Sequence, residues 1–381
     1  MNIYLDYAAA TPLDARVLAA MTPYFQDVFY NASSSYLAAR RVHADIEAAR
    51  VRVAHWLGAR STEVVFTAGA TESINLAIHG VMQRFPDATV LVGATEHDAV
   101  RLSAARYSYG EVPVQPDGTL DLRALERMID DKTVLVSVGY ANNEIGTIQP
   151  LATIAQLLGK IRQARQKAGN QLPLYLHTDA SQAAGYLDIH AHRLGVDLMT
   201  LNGGKLYGPK QSGVLFVRAG VQLDSLLSGG GQENGLRSGT ENVAAIVGLA
   251  TALDLAQAER KEAIAKQSAL RDELQRQLTD ALPETVVNGN PKRRLPNNLH
   301  VSWPGVDGER LVMLLDEHGI QAATGSACAA NRQKASHVLV ALGLDEAHRQ
   351  GSLRLSIGTP TTPAEIQQAA QDTIRCVKQL Q

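Results

Sequence analysis

The chain has 381 residues, 45% of them apolar and 19% charged, a balance that excludes a disordered chain and, at roughly 150 residues per domain, leaves room for two or three domains. Its 36 basic and 38 acidic side chains leave a net charge of −2, so neither general polyanion binding nor direct nucleic-acid binding is expected. No apolar run approaches the ~20 residues of a membrane span. The opening MNIYLDYAAATP lacks the pattern of a secretion signal. Two cysteines, Cys328 and Cys376, make neither a disulfide framework nor a four-cysteine zinc site; the expectation is a cytoplasmic protein with free thiols and no metal.

The first helical stretch places Val42, Ile46, Ala49, Val53 and Leu57 on one face, with Gly58 ready to end it as a C-cap. Strands follow at Glu63–Thr67, Thr89–Val92, Thr133–Val138, Leu174–His177, Asp197–Leu201 and Val214–Val217. Most are apolar at consecutive positions, as strands covered on both faces are. After the first of them a helix is predicted to run to about His79 and stop at Gly80. This strand–helix alternation argues for an α/β fold with a mostly parallel central sheet and helices on both faces. Beyond Thr240 the texture changes. Asn242 to about Leu278 reads as one long helical stretch leading to a second unit. That unit has strands at Leu299–Ser302 and Ser352–Ser356, a helix at Gly308–Glu317 and a final helix from about Pro363. Residues 286–298 (VVNGNPKRRLPNN) read as a loop.

Three positions at strand ends carry chemistry when taken together. In FTAGATES (66–73) a strand gives way to small residues and a helix start, where backbone N–H groups and the Thr71 hydroxyl can hold a phosphate. An ordinary capped turn fits the same residues. Asp179 follows the strand LYLH, where it can face a ligand or cap a turn. Lys205 follows the strand DLMTL among glycines, an unusual place for a residue type that mostly lies on solvated surface. A lysine so placed can form a Schiff base with an aldehyde cofactor. Pyridoxal 5′-phosphate needs a phosphate cradle, an amine and a carboxylate at its ring nitrogen, and Thr71, Lys205 and Asp179 supply one of each. His97, just after the strand TVLV, is available to stack on a ring.

With these residues in view the chain closely resembles the cysteine desulfurases, pyridoxal-phosphate enzymes of aminotransferase class V. The resemblance extends from YLDYAAATP (4–12) to the final helix. It passes through GATES (69–73), TEHDAV (95–100), ANNEIGTIQP (141–150), HTDASQAAG (177–185), KLYGPKQSGVLFV (205–217), GGGQENGLRSGTENV (229–243), TGSACAA (324–330) and SLRLSIG (352–358). It implies a fold-type I architecture: a large cofactor domain over 15–255 and a smaller α+β domain from 1–14 and 256–381 that carries the catalytic cysteine. It also implies a homodimer, L-cysteine as substrate, and an iron–sulfur scaffold or another sulfur acceptor, such as one serving tRNA thiolation, as partner.

By the same resemblance Lys205 binds the cofactor and shuttles protons, Asp179 pairs with its ring nitrogen and His97 stacks on the ring. Gln182 and Asn143 lie on the ring-hydroxyl side, Asn143 near the substrate as well, and Ala70 and Thr71 hold the phosphate. Thr240 reaches the cofactor of the partner subunit, Arg354 clamps the substrate carboxylate, and Asn31 lies on a loop near the site. Cys328 takes the sulfur as a persulfide. Residues 329–335 separate it from Ser336, a spacing similar to that of family members whose long, mobile catalytic loop hands sulfur directly to scaffold proteins. Cys376 is expected to be structural. The chain departs from the family at Asn202 and Gly204, where serine and histidine usually reach the phosphate, and at Ala32 and Tyr36, where proline and histidine are usual. Selenocysteine lyase, a class-V aminotransferase and a non-enzymatic scaffold remain as alternatives.

Overall fold

The computed structural model describes residues 2–325 and 336–381. A short strand, Ile3–Tyr4 (β1), precedes a seven-stranded sheet. The sheet is built from Val64–Thr67 (β2), Thr89–Gly93 (β3), Ser108–Val112 (β4), Thr133–Ser137 (β5), Tyr175–Asp179 (β6), Leu198–Asn202 (β7) and Gly213–Val217 (β8). Their spatial order is β2-β8-β7-β6-β5-β3-β4. All contacts are parallel except those of β8, which runs antiparallel to both its neighbours. The α/β reading and the mostly parallel sheet therefore hold.

Side-chain alternation divides the sheet between two cores. On one face Val64, Phe66, Leu91, Val136, Met199, Leu201, Val214 and Phe216 pack with the helix Leu37–Leu57. On the other, Val65, Val90, Val92, Leu198 and Leu215 pack against Ile74, Leu76 and Ile78 of the helix Ala70–Arg84. Both faces are buried, so the strands read as continuous apolar runs rather than as alternation. The helix over 37–57 ends as expected, with Gly58 in the left-handed region at φ 58°.

A third core lies in the second unit. There Val286–Val287 (β9), Asn298–Ser302 (β10) and Ser352–Ser356 (β12) form an antiparallel sheet in the order β12-β10-β9, and Ile320–Gln321 (β11) pairs with β1. Leu274, Leu299, Val301, Trp303, Leu315, Leu353, Leu355 and Ile366 are buried together, with Ile3 and Leu5 from the chain start. Cys376 is fully buried in this core on the last helix, Pro363–Leu380, and burial pushes its thiol up.

Three expectations need correction. The helix expected to stop at Gly80 runs on to Arg84. Gly80 is there for close packing, since a Cβ on it would lie 2.6 Å from the Asp224 carbonyl oxygen. The stretch 242–278 is two helices, Val243–Ala258 and Arg260–Ala281, meeting at Glu259, whose carboxylate pairs with Arg16 at 2.5 Å. Within 286–298, Val286–Val287 is a strand rather than loop, because it borders β10. The edge strand β4, largely exposed apart from Val112, carried too little apolar signal to be read.

Candidate active site

The C-terminal ends of β2, β3, β5, β6 and β7 surround one cavity of about 310 Å³. Ligands bind at that end of a parallel sheet because the strand-to-helix turns present free backbone groups and short side chains there. Of the anticipated residues, Ala70, Thr71, His97, Asn143, Asp179, Gln182, Asn202, Lys205 and Arg354 line this cavity. Gly204 lines an adjoining space with Asn202, Lys205, Ala70 and Thr71. Thr240 lines a separate small cavity beside Thr67 and Ala68. Asn31 is exposed in none of these, and its Oδ1 accepts from the Ser33 N–H at 2.9 Å. Cys328 lies outside the described residues.

Each of these side chains is held by its own local structure. Gly69 enters the helix Ala70–Arg84 at φ 131°, and no side chain caps that helix. Its first-turn N–H groups are thus left to an external acceptor. His97 caps the next helix, its Nδ1 accepting from the Ala99 N–H at 3.1 Å, so Nε2 carries the proton. Asp179 closes a turn, with Oδ1 accepting from the Ser181 N–H at 2.9 Å and the Ser181 hydroxyl at 2.5 Å. Asn202 Oδ1 accepts from the Gly204 N–H at 3.0 Å, which leaves its amide NH₂ to donate. Lys205 Nζ donates to the carbonyls of Ala8 and Ala9 at 2.8 and 2.5 Å. Arg354 is 1% exposed. Its guanidinium donates to Asp6 Oδ1 at 2.6 Å and to the Asn143 carbonyl at 3.2 Å, while Nε is buried without an acceptor among the described residues.

Sequence reasoning passes over several groups here. Asp6 and the Ala8 and Ala9 carbonyls come from the chain start. The carboxyl of Glu96 is fully buried in the cavity wall, and both its oxygens accept from the Gly139 N–H, at 2.8 and 2.9 Å. Burial, with Asp179 adding to it, raises its pKa to about 8. A Cβ on Gly93 would lie 2.7 Å from one of its oxygens and a Cβ on Gly139 3.1 Å from the other, so two glycines make its room. Its signal was its place in TEH immediately after a buried strand. Beneath Asp179, His177 is buried between the Ser137 and Thr200 hydroxyls at 2.8 and 3.0 Å. Burial outweighs the attraction of Asp179 and lowers it to about 4, leaving it neutral.

The donor set matches a phosphorylated pyridine aldehyde. One amine, one carboxylate across the same cavity and an uncapped helix start at its edge are the three contacts such a molecule needs. The orphaned Arg354 Nε adds a donor for a carboxylate.

Comparison with known proteins points the same way. Residues 3–369 match the class-V aminotransferase family. The chain is 36% identical to cysteine desulfurase IscS of Dictyoglomus turgidum, covering 100% of this chain and 95% of that one. It is 39% identical to cysteine desulfurase of Rattus norvegicus, covering 99% and 83%. A solved NifS-like protein superposes with a TM-score of 0.91 at 33% identity over 100% of both chains. SspA in complex with cysteine superposes at 0.80 and 31% identity over 93% and 98%. Full-length likeness together with a cavity of this composition places the chain among the cysteine desulfurases of the class-V aminotransferase family.

Proposed function

We propose that the protein converts L-cysteine to L-alanine and collects the sulfur as a persulfide on Cys328. The observation that carries this is the gathering of Lys205, Asp179, Arg354 and the first turn at Ala70 around one cavity. Lys205, Asp179, His97, Asn143, Gln182, Asn202, Ala70 and Thr71 would hold pyridoxal 5′-phosphate. When bound, that group supplies an electron sink for the substrate Cα.

The protein's own groups do the rest. Asp179, on the cavity wall, would meet the ring nitrogen of the cofactor. Lys205 Nζ takes the Cα proton and returns it, kept in reach by the two carbonyls that orient it. His97, protonated on Nε2, is placed to pass a proton. Arg354 receives the substrate carboxylate at its unfilled edge. The Cys328 thiolate attacks the substrate sulfur: an S–S bond forms as the C–S bond breaks, the bonding pair stays with the carbon that becomes the alanine methyl group, and that carbon gains a proton.

The protein works as a homodimer in which Thr240 reaches the partner's cofactor. Phe25, Phe29 and Leu37 are 61, 67 and 77% exposed, and Ala32 and Ser33 between them border residues 230–234 of the same segment as Thr240. Such an apolar surface is what a second copy would cover. An iron–sulfur scaffold or another sulfur acceptor takes the persulfide onward. No described helix is long and apolar enough to cross a membrane, and we place the activity in the cytoplasm.

The test is to supply pyridoxal 5′-phosphate and L-cysteine and measure alanine, sulfide and the persulfide on Cys328. Wild type should yield all three, and Cys328→Ala should lose turnover. Full turnover in Cys328→Ala would overturn the assignment and favour a lyase that needs no nucleophilic thiol.

A further inference from the structure

The described chain stops at Gly325 and resumes at Ser336 on either side of the segment that contains Cys328. These two ends meet at one buried side chain. Glu144, 1% exposed, follows Asn143 in the loop that lines the cavity. Its Oε2 accepts from the Ser336 hydroxyl at 2.6 Å. A Cβ placed on Gly325 would lie 3.2 Å from the same oxygen and 3.9 Å from Ser336 Cβ. One carboxylate oxygen therefore bonds the downstream end and lies beside the upstream one, where only a glycine leaves it room.

Each end is also fixed to the site independently. Upstream, Ala323 exchanges backbone hydrogen bonds with Arg354, at 2.6 and 3.3 Å, and the Thr324 carbonyl accepts from the Ser352 hydroxyl at 3.0 Å. Downstream, His337 Nε2 meets the Glu96 carbonyl at 2.8 Å. Ile145, beside Glu144, is buried with Val338, Leu339 and Leu342. Glu144 is the place where these two sets of contacts join. Its loop does not depend on the carboxylate for its shape, because Asn142 Oδ1 accepts from the N–H groups of Glu144 and Ile145 at 2.8 and 3.0 Å and Asn298 donates to the Glu144 carbonyl at 3.0 Å.

We propose that Glu144 is a positioning residue for sulfur transfer, holding the downstream end of the Cys328 segment to the Asn143 loop through Ser336, with Gly325 at the upstream end packed beside the same carboxylate. The proposal rests on Cys328 being the sulfur acceptor. Three Cα–Cα steps lead along the chain from Gly325 to Cys328, and at 3.8 Å each they bound its reach to ~11 Å. The anchorage of Gly325 thus decides which points of the cavity the thiol can meet. The Glu144–Ser336 bond is charge-assisted and half-buried, the kind whose loss is felt most strongly.

The experiment uses the holoenzyme and L-cysteine in single turnover. The change in the cofactor's visible band reports substrate binding, and quenched alkylation with mass spectrometry reports persulfide on Cys328. Ser336→Ala and Glu144→Ala should slow persulfide formation roughly tenfold, the scale of one charge-assisted bond. The cysteine concentration for half-maximal spectral change should not move, and Ser336→Thr, which keeps the hydroxyl, should stay near wild type. Wild-type persulfide rates in both alanine variants would overturn the proposal. So would an equal loss in binding and transfer with Ser336→Thr no better than Ser336→Ala, which is the mark of a merely structural contact. Cys328→Ala, run alongside, separates the two levels: full turnover there removes the desulfurase reading itself, whereas an inactive Cys328→Ala with unimpaired Ser336 and Glu144 variants removes only the tie.

Discussion

Glu96→Gln tests the electrostatics of the cavity wall directly. The glutamine keeps an oxygen for the Gly139 N–H and fits the same space between Gly93 and Gly139, but it cannot ionise. In the native protein Glu96 holds its proton up to about pH 8, against an ordinary value of 4.5. Between those two values the native state carries a proton that the unfolded chain has released, so stability falls as pH rises. The buried histidines act with the opposite sign. His177, lowered to about 4, and His300, lowered to about 3 by burial and by the nearby Arg354 and Arg294, are neutral in the fold and charged in the unfolded chain below 6.5. His79, lowered by burial and by Arg106, adds to them. Stability from these groups therefore rises with pH up to about 6.5, where the unfolded histidines lose their protons, and then falls to about 8 under Glu96 alone.

The descending limb spans one and a half pH units. At ~1.4 kcal/mol per unit for one proton, it amounts to ~2 kcal/mol. Urea unfolding of the cofactor-free protein, followed by tryptophan fluorescence, reads it well. Trp56 packs against the large sheet's core and Trp303 is buried in the second unit, so both regions report. Wild type should lose ~2 kcal/mol between pH 6.5 and 8, and Glu96→Gln should stay level across that window. The reasoning is refuted if the two proteins differ by a constant amount from pH 6 to 8.5.

Two other substitutions probe the frame around the site. Arg50 and Glu233 form a buried two-pronged pair at 2.6 and 2.9 Å, and Glu233 also accepts from the Phe66 N–H at 2.7 Å. Glu233→Ala leaves the buried guanidinium only the Glu47 carboxylate at 3.1 Å and the Val64 carbonyl at 2.9 Å and should cost ~3 kcal/mol in urea unfolding; a loss below ~1 kcal/mol would contradict the pairing. Gly213→Ala places a Cβ 2.6 Å from the Gly69 carbonyl carbon, pushing on the turn that opens the Ala70 helix. Affinity for pyridoxal 5′-phosphate, read by fluorescence titration, should fall roughly tenfold or more, and wild-type affinity would show that the turn is not the phosphate contact.

The parts of the site that the sequence revealed are those where one strand end places one residue. Thr71, His97, Asp179 and Lys205 each follow a continuous apolar run, and the parallel sheet brings the ends of such runs together. The missed parts are pairings between distant stretches, for which no local pattern exists. Glu96 needs Gly93 and Gly139, on neighbouring strand ends, to leave it room. Arg354 reads as a clamp for a substrate carboxylate, but no local pattern shows that its Nη2 is held by Asp6, 348 residues earlier. The break at Glu259 was equally hidden, because its flanks both suit helices and the ion pair with Arg16 is a tertiary contact.

The chain start explains why these distant pairings converge. Residues 3–6 belong with the second unit: Ile3 and Tyr4 pair with Ile320 and Gln321, and Asp6 bridges to Ser356. Two residues further on, the Ala8 and Ala9 carbonyls hold Lys205 Nζ at the end of the large sheet. Asp6 holds Arg354 on β12. The amine expected to bind the cofactor and the guanidinium expected to bind the substrate are thus referenced to one short turn, closed by the Asp6 carbonyl accepting from the Ala9 N–H at 2.9 Å, and each is oriented by backbone or carboxylate oxygens within four residues of the other's. A shift of the second unit against the sheet would pull on both together, which makes residues 6–9 the part of the chain whose geometry decides whether the two ends of a bound amino acid are met at once.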